Sequence, residues 1–160
     1  MIEVFIALGA NADNPVHQVK SAIQQLEALA EGPLAASSLW ESEPVAMNDD
    51  SGVFVNAVVV FQTSLPATAL LKQLQQIEIE MGRPKDHGKN VARRIDLDIL
   101  TYGSEQIHVQ GLEIPHPRIE ERLFVLLPLQ ELRPDFVLPG SALGLPALID
   151  AAPAMAISRR

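Results

Sequence analysis

The chain has 160 residues, enough for one domain with a sizeable core, and its 48% hydrophobic and 20% charged composition is that of a folded protein, not a disordered one. A net charge of −8 argues against broad binding to nucleic acid or anionic membrane, and the lack of cysteine excludes a disulfide framework and a thiolate zinc site. No apolar run approaches the roughly 20 residues that cross a bilayer, and Met1–Leu8 lacks the basic start of a signal peptide, so a single cytoplasmic domain spanning 1–160 is expected.

In chain order, residues 2–8 form a short apolar run that reads as a buried strand, ended by the turn signal Gly9-Ala10-Asn11. Asn14-Pro15 opens a helix, with Asn14 as cap and Pro15 in the first turn; Val16, Val19, Ile23, Leu26 and Ala30 fall on one face, and Gly32-Pro33 stops it. Residues 34–41 predict a second strand ending near Trp40, and the stretch from Ser42 to Gly52, rich in Pro, Asn, Asp and Gly, predicts a long loop. Phe54–Thr63, dense in Val and Phe, predicts a strand. Ser64 and Pro66 start a second helix with Leu70, Leu74, Ile77 and Met81 on one face and Gly82 as its cap. A basic loop, 83–93, leads to a strand at 94–102. A helix follows within 118–132, and the proline-bearing tail is irregular except for a short helix at Leu145–Ala151.

Strand, helix, strand, strand, helix, strand is the order of an α+β, ferredoxin-like βαββαβ fold. It implies an antiparallel sheet with helices on one face, here followed by a C-terminal helical appendix.

The charges are unevenly spread. Five of the twelve Lys/Arg residues, Arg83, Lys85, Lys89, Arg93 and Arg94, lie within twelve positions, and Arg118 and Arg122 follow. An acidic protein that gathers its cations this way is suited to a polyanion, although a solvated charged loop would look the same in isolation. The next residues decide between these readings. In the strand Ile95-Asp96-Leu97-Asp98-Ile99, side chains alternate, so Asp96 and Asp98 share one face and the aliphatic residues the other. Two ionised carboxylates on residues whose Cα atoms lie about 6.5–7 Å apart along a strand need a compensating cation, and oxygen ligands without His or Cys select Mg²⁺. Such a pair could bracket two metal ions on a triphosphate. A charged edge strand is the plain alternative, but carboxylates beside guanidiniums make a coherent phosphoryl-transfer site. No Walker loop is present, so phosphate must be held by side chains and metal.

Taken together, Ile6-Ala7-Leu8-Gly9-Ala10-Asn11, Phe54-Val55-Asn56-Ala57-Val58, Ile77-Glu78 with Gly82-Arg83, Arg93 through Asp96-Leu97-Asp98, Ile114-Pro115-His116-Pro117, and Arg122 with Phe124 resemble the 6-hydroxymethyl-7,8-dihydropterin pyrophosphokinase family of folate biosynthesis. The likeness runs from Ile6 to Leu129. It implies a monomer that transfers the β,γ-pyrophosphate of ATP to the pterin hydroxymethyl group and releases AMP, with two Mg²⁺ ions. It also implies roles for individual residues. Asp96 and Asp98 would be the metal ligands, and Arg83, Arg93 and Arg122 the phosphate contacts. Gln75, Glu78, Lys85, Ile99 and His116 would stand on the nucleotide side. Asn56 would read the pterin edge, Phe54 and Phe124 would enclose its ring, and Ser42, Pro44 and Val45 would complete the pterin pocket. A carboxamide offers both donor and acceptor to a heterocycle, and flat aromatic partners favour offset stacking, which supports those two roles on chemical grounds.

The chain departs from the family in reading Asn90-Val91-Ala92 where Trp-Gly-Pro is usual, Ser42-Glu43-Pro44-Val45-Ala46 for Thr-x-Pro-x-Gly, and Gly111 at a position basic in some members. An active enzyme is expected. The alternative is a non-catalytic ferredoxin-like module that binds nucleotide or pterin.

Overall fold

The computed structural model describes residues 1–12, 14–43, 53–82 and 95–160. Among these, an antiparallel sheet runs β5-β1-β4-β3-β8, with β2 also on β4. Its strands are β1 (Ile2–Ala10), β2 (Ala35–Ala36), β3 (Trp40–Ser42), β4 (Phe54–Thr63), β5 (Asp96–Tyr102) and β8 (Ile157–Arg159). A separate hairpin joins β6 (Ile107–Val109) to β7 (Leu112–Ile114). The helices are α1 (Pro15–Glu27), α2 (Ala67–Gly82), α3 (Leu123–Leu132) and α4 (Leu145–Ala151), with one 3-10 turn at Ile119–Glu121. No helix is long and apolar enough to cross a membrane among the described residues.

Alternation along the strands builds two cores, one on each side of the sheet. Val4, Ile6 and Leu8 of β1, Val55, Ala57 and Val59 of β4, and Leu97 and Ile99 of β5 pack with Val19, Ala22 and Leu26 of α1 and Leu70, Leu74 and Ile77 of α2. The opposite face is also buried. There Phe5, Val58 and Leu100 meet Val125, Leu126 and Leu129 of α3 and Leu145 and Leu148 of α4. The two helices between the strands, α1 and α2, share one face as expected, and the C-terminal helices take the other. What reads as an appendix is the second cover of the sheet, needed because β1 and β4 are apolar on both sides.

Three local expectations are revised. Asn14 precedes α1 with φ 62°, and no side-chain bond caps the helix; the left-handed backbone, which Asn tolerates, turns the chain into Pro15 instead. The strand expected at 34–41 is two short pieces. The Ser37 hydroxyl accepts the Val58 N–H at 3.0 Å and donates to the Ser38 carbonyl at 2.8 Å, so a side chain takes a place in the ladder and breaks it. Gly9 and Ala10 do not form a turn. They continue β1, opposite Asn56 and Val55 of β4.

Candidate active site

Gly9 is the point around which the site assembles. It lies opposite Asn56 of β4 on one side and Asp96 of β5 on the other, and Ala7 lies opposite Asp98. Because strand residues two apart share a face, Phe54, Asn56, Asp96 and Asp98 emerge together at one end of the sheet, on the side covered by α3. A Cβ at Gly9 would sit 3.2 Å from the Asn56 Oδ1, so glycine is what allows this close approach. The alternation that sends Asp96 and Asp98 into the site sends Leu97 and Ile99 into the opposite core.

A cleft of about 170 Å³ opens there, lined by Ala7, Leu8, Gly9, Ser42, Glu43, Phe54, Asn56, Asp96, Asp98, Leu100, His116, Ile119, Arg122, Phe124 and Val125. The lining combines two aromatic rings, Phe54 and Phe124, and the Asn56 carboxamide with the Asp96 and Asp98 carboxylates of β5 and the His116 and Arg122 side chains from the segment that precedes α3.

Asn56 is 3% exposed, and its Nδ2 donates to Ser42 Oγ at 2.9 Å. Arg122 ends the 3-10 turn in extended conformation, and its guanidinium lies 5.5 Å from the centre of the Phe124 ring. Such stacking leaves the guanidinium edge open to an anion. His116 Nδ1 accepts the Arg118 backbone N–H at 3.1 Å, and the His116 backbone N–H donates to the Leu100 carbonyl at 3.0 Å. An accepting Nδ1 leaves the proton on Nε2. Burial lowers the His116 pKa below its ordinary value of 6.5; Asp98 opposes this, while Arg122 and Arg118 add to it. The ring is thus a neutral hydrogen-bond donor at pH 7.

Of the residues expected from the sequence, the cleft gathers Ser42, Phe54, Asn56, Asp96, Asp98, His116, Arg122 and Phe124. Three others stand elsewhere. The Ile99 side chain is 4% exposed in the α1–α2 core, so a nucleotide could meet only its backbone. Gln75 is exposed on α2 and does not line the cleft. Glu78 turns its carboxylate to the Leu97 backbone N–H at 2.8 Å. Arg83, Lys85, Arg93, Pro44 and Val45 lie outside the described residues. Gly9 and Glu43 were not anticipated. For Gly9 the signal was a glycine at the end of a confident strand, which also signals a close approach.

The two carboxylates suit a hard cation. Among the described residues no group of three or more His, Cys, Asp or Glu is poised for a metal, so the protein would supply two carboxylates and leave the other positions open. That is the habit of Mg²⁺, which keeps waters and phosphate oxygens in its shell.

Residues 5–134 match the model of the 7,8-dihydro-6-hydroxymethylpterin-pyrophosphokinase (HPPK) family. This chain belongs to that family. It is 41% identical over 142 residues to the 2-amino-4-hydroxy-6-hydroxymethyldihydropteridine pyrophosphokinase of Haemophilus influenzae, covering 88% of each chain. It is 40% identical over 157 residues to the pyrophosphokinase of the same name from Pseudomonas aeruginosa, covering 98% of this chain and 95% of the relative. Among solved structures, an HPPK-DHPS chain in complex with substrates superposes with a TM-score of 0.73 at 14% identity, over 94% of this chain and 43% of the other. A Plasmodium falciparum HPPK-DHPS chain gives 0.75 at 16%, over 93% and 45%. This chain therefore spans less than half of those longer proteins, and the likeness to them is one of fold.

Proposed function

We propose that this HPPK-family chain transfers pyrophosphate from ATP to the hydroxymethyl group of 6-hydroxymethyl-7,8-dihydropterin and releases AMP, a step of folate biosynthesis. One observation carries the reading. One cleft is lined by two aromatic rings, a buried carboxamide, a pair of carboxylates, a histidine held neutral by burial and an arginine. A flat heterocycle and a polyphosphate thus have adjoining places.

In this reading Phe54 and Phe124 hold the pterin ring between them, and Asn56 meets its polar edge with a donor and an acceptor. The hydroxymethyl group is left pointing at Asp96 and Asp98. Two Mg²⁺ ions held there would neutralise the triphosphate and polarise the attacked phosphorus. Arg122 and the Nε2–H of His116 donate to phosphate oxygens as charge builds on them. The hydroxymethyl oxygen attacks the β-phosphorus in line and gives up its proton to solvent, the bond from the β-phosphorus to the α,β-bridging oxygen breaks, and AMP departs carrying that oxygen. Alignment and electrostatics supply most of the acceleration, since no covalent intermediate with the protein is required.

Arg83, Arg93 and Lys85 are taken as further phosphate contacts, and Pro44 and Val45 as part of the pterin pocket. The strand order supports a ferredoxin-like βαββαβ core in which β2 and β3 share the place of one strand. The reading takes residues 1–160 as one pyrophosphokinase domain, monomeric and cytoplasmic.

The test is AMP formation from ATP, Mg²⁺ and 6-hydroxymethyl-7,8-dihydropterin, with the pterin pyrophosphate identified by mass. Production of both supports the reading. Binding of both ligands without AMP would replace it with that of a binding module.

A further inference from the structure

The short strand β8 lies far from the cleft in sequence but close to it in the sheet. It pairs antiparallel with β3, placing Ile157 opposite Ser42, Ser158 opposite Glu41 and Arg159 opposite Trp40. Bonds continue on both sides of the strand. Glu43 N donates to the Ala156 carbonyl at 3.1 Å, and Arg160 N donates to the Leu39 carbonyl at 2.8 Å. Side chains reinforce them. The Glu43 carboxylate accepts the Ala156 N–H at 3.0 Å, the Arg159 guanidinium lies 5.8 Å from the Trp40 ring centre, and Arg160 pairs with Glu41.

β3 needs this support. It has three residues, and without β8 it would be a very short edge strand whose one strand neighbour is β4. Yet it carries Ser42, whose buried hydroxyl anchors the Asn56 carboxamide from one side, while Gly9 closes on the Oδ1 from the other. An amide that reads a heterocycle must keep its plane, because rotation exchanges or misaims its donor and acceptor.

We propose that β8 is a positioning element for substrate: by pairing with β3 it fixes the Ser42 hydroxyl, and Ser42 fixes the Asn56 carboxamide. The step from Asn56 to the pterin rests on the function proposed above. The step from β8 to Asn56 does not.

Ser158→Pro tests it. Ser158 lies midway between the bonded pairs Glu43/Ala156 and Leu39/Arg160, so its N–H faces β3, and proline removes that donor. Two readouts are used. Hydrogen exchange of the Asn56 side-chain amide, followed by NMR, requires no activity. It is expected to quicken in Ser158→Pro and in Ser42→Ala, and to return to the native rate in Ser42→Thr. In steady-state kinetics the same two variants raise KM for the pterin about tenfold, the worth of one well-placed hydrogen bond, with kcat and KM for ATP within about twofold. If Ser158→Pro does not fold cooperatively, Arg159→Ala/Arg160→Ala, which alters only exposed flanking contacts, takes its place with smaller shifts in the same direction. A folded variant with native Asn56 exchange and native pterin KM overturns the proposal, as does a uniform loss in kcat and both KM values. Should the native chain form no AMP, the proposed reaction fails, while the exchange measurement still decides whether β8 holds Asn56.

Discussion

Glu78, on α2, accepts a hydrogen bond of 2.8 Å from the backbone N–H of Leu97, the residue between Asp96 and Asp98. β5 is the edge of the sheet on that side, so its outward N–H groups need a partner, and the helix supplies one. Glu78 thereby ties the strand that carries both site carboxylates to α2.

This gives a first prediction. Glu78→Ala leaves the Leu97 N–H without that acceptor and costs about 1–2 kcal/mol in urea unfolding, and loosened carboxylates lower kcat about tenfold. Glu78→Gln keeps a neutral acceptor and falls between. A change confined to KM for ATP would instead favour the nucleotide-side role that the resemblance implies.

Gly9 gives a second. In Gly9→Ala the new methyl meets the Asn56 Oδ1 at 3.2 Å, and Ser42 holds the other end of that amide. The amide must tilt by a few tenths of an ångström. We expect pterin KM to rise about five- to tenfold, roughly 1 kcal/mol of misaligned hydrogen bonding, with ATP KM unchanged. Titration of each ligand separately checks this.

Glu131 gives a third. From α3 its carboxylate accepts the Ser38 N–H, the Ser38 hydroxyl and the Trp40 Nε1–H at 2.6–3.1 Å. Burial raises its pKa, but the bonds from Ser38 and Trp40 outweigh that and hold the carboxyl below its ordinary 4.5. Glu131→Ala should cost about 1–2 kcal/mol, because it removes the acceptor for all three donors. Thermal unfolding measures it.

The pH dependence of stability is a fourth. Arg133 donates from both guanidinium ends to Glu3 at 2.8 Å, and these bonds, against partial burial, hold the Glu3 carboxyl below 4.5. A depressed carboxyl stabilises the fold fully above its unfolded value and loses that contribution as pH falls through the folded one. Both side chains are 39% exposed, so the contribution is about 0.5–1 kcal/mol. Glu3→Gln should therefore be less stable than the native chain at neutral pH, and the gap should close below about pH 4.

Much of this architecture is legible in the residues alone, for physical reasons that also mark where legibility ends. β1, β4, α1 and α2 carry long apolar periodicities, and Leu145–Ala151 is a helix as read. β8 has three residues, mostly exposed, and no pattern to betray it; it exists because β3 needs a neighbour. The break between β2 and β3 comes from one serine hydroxyl, a tertiary choice that propensity does not encode. In the site, strict alternation is enough to pair Asp96 with Asp98 and Phe54 with Asn56. It also shows why Ile99, on the other face of β5, turns to the core. Gly9 was misread because glycine marks both turns and close approaches, and only the pairing of β1 with β4 and β5 separates the two.

The central claim is that Asp96 and Asp98 serve chemistry and not folding. AMP release from ATP, Mg²⁺ and 6-hydroxymethyl-7,8-dihydropterin, measured for the native chain and for Asp96→Asn and Asp98→Asn beside their thermal unfolding, tests it most directly. The account predicts that each substitution lowers kcat at least about a hundredfold, with the melting temperature within about 3 °C of native. Native turnover in either variant, or a loss of activity that merely follows a loss of folding, would contradict it.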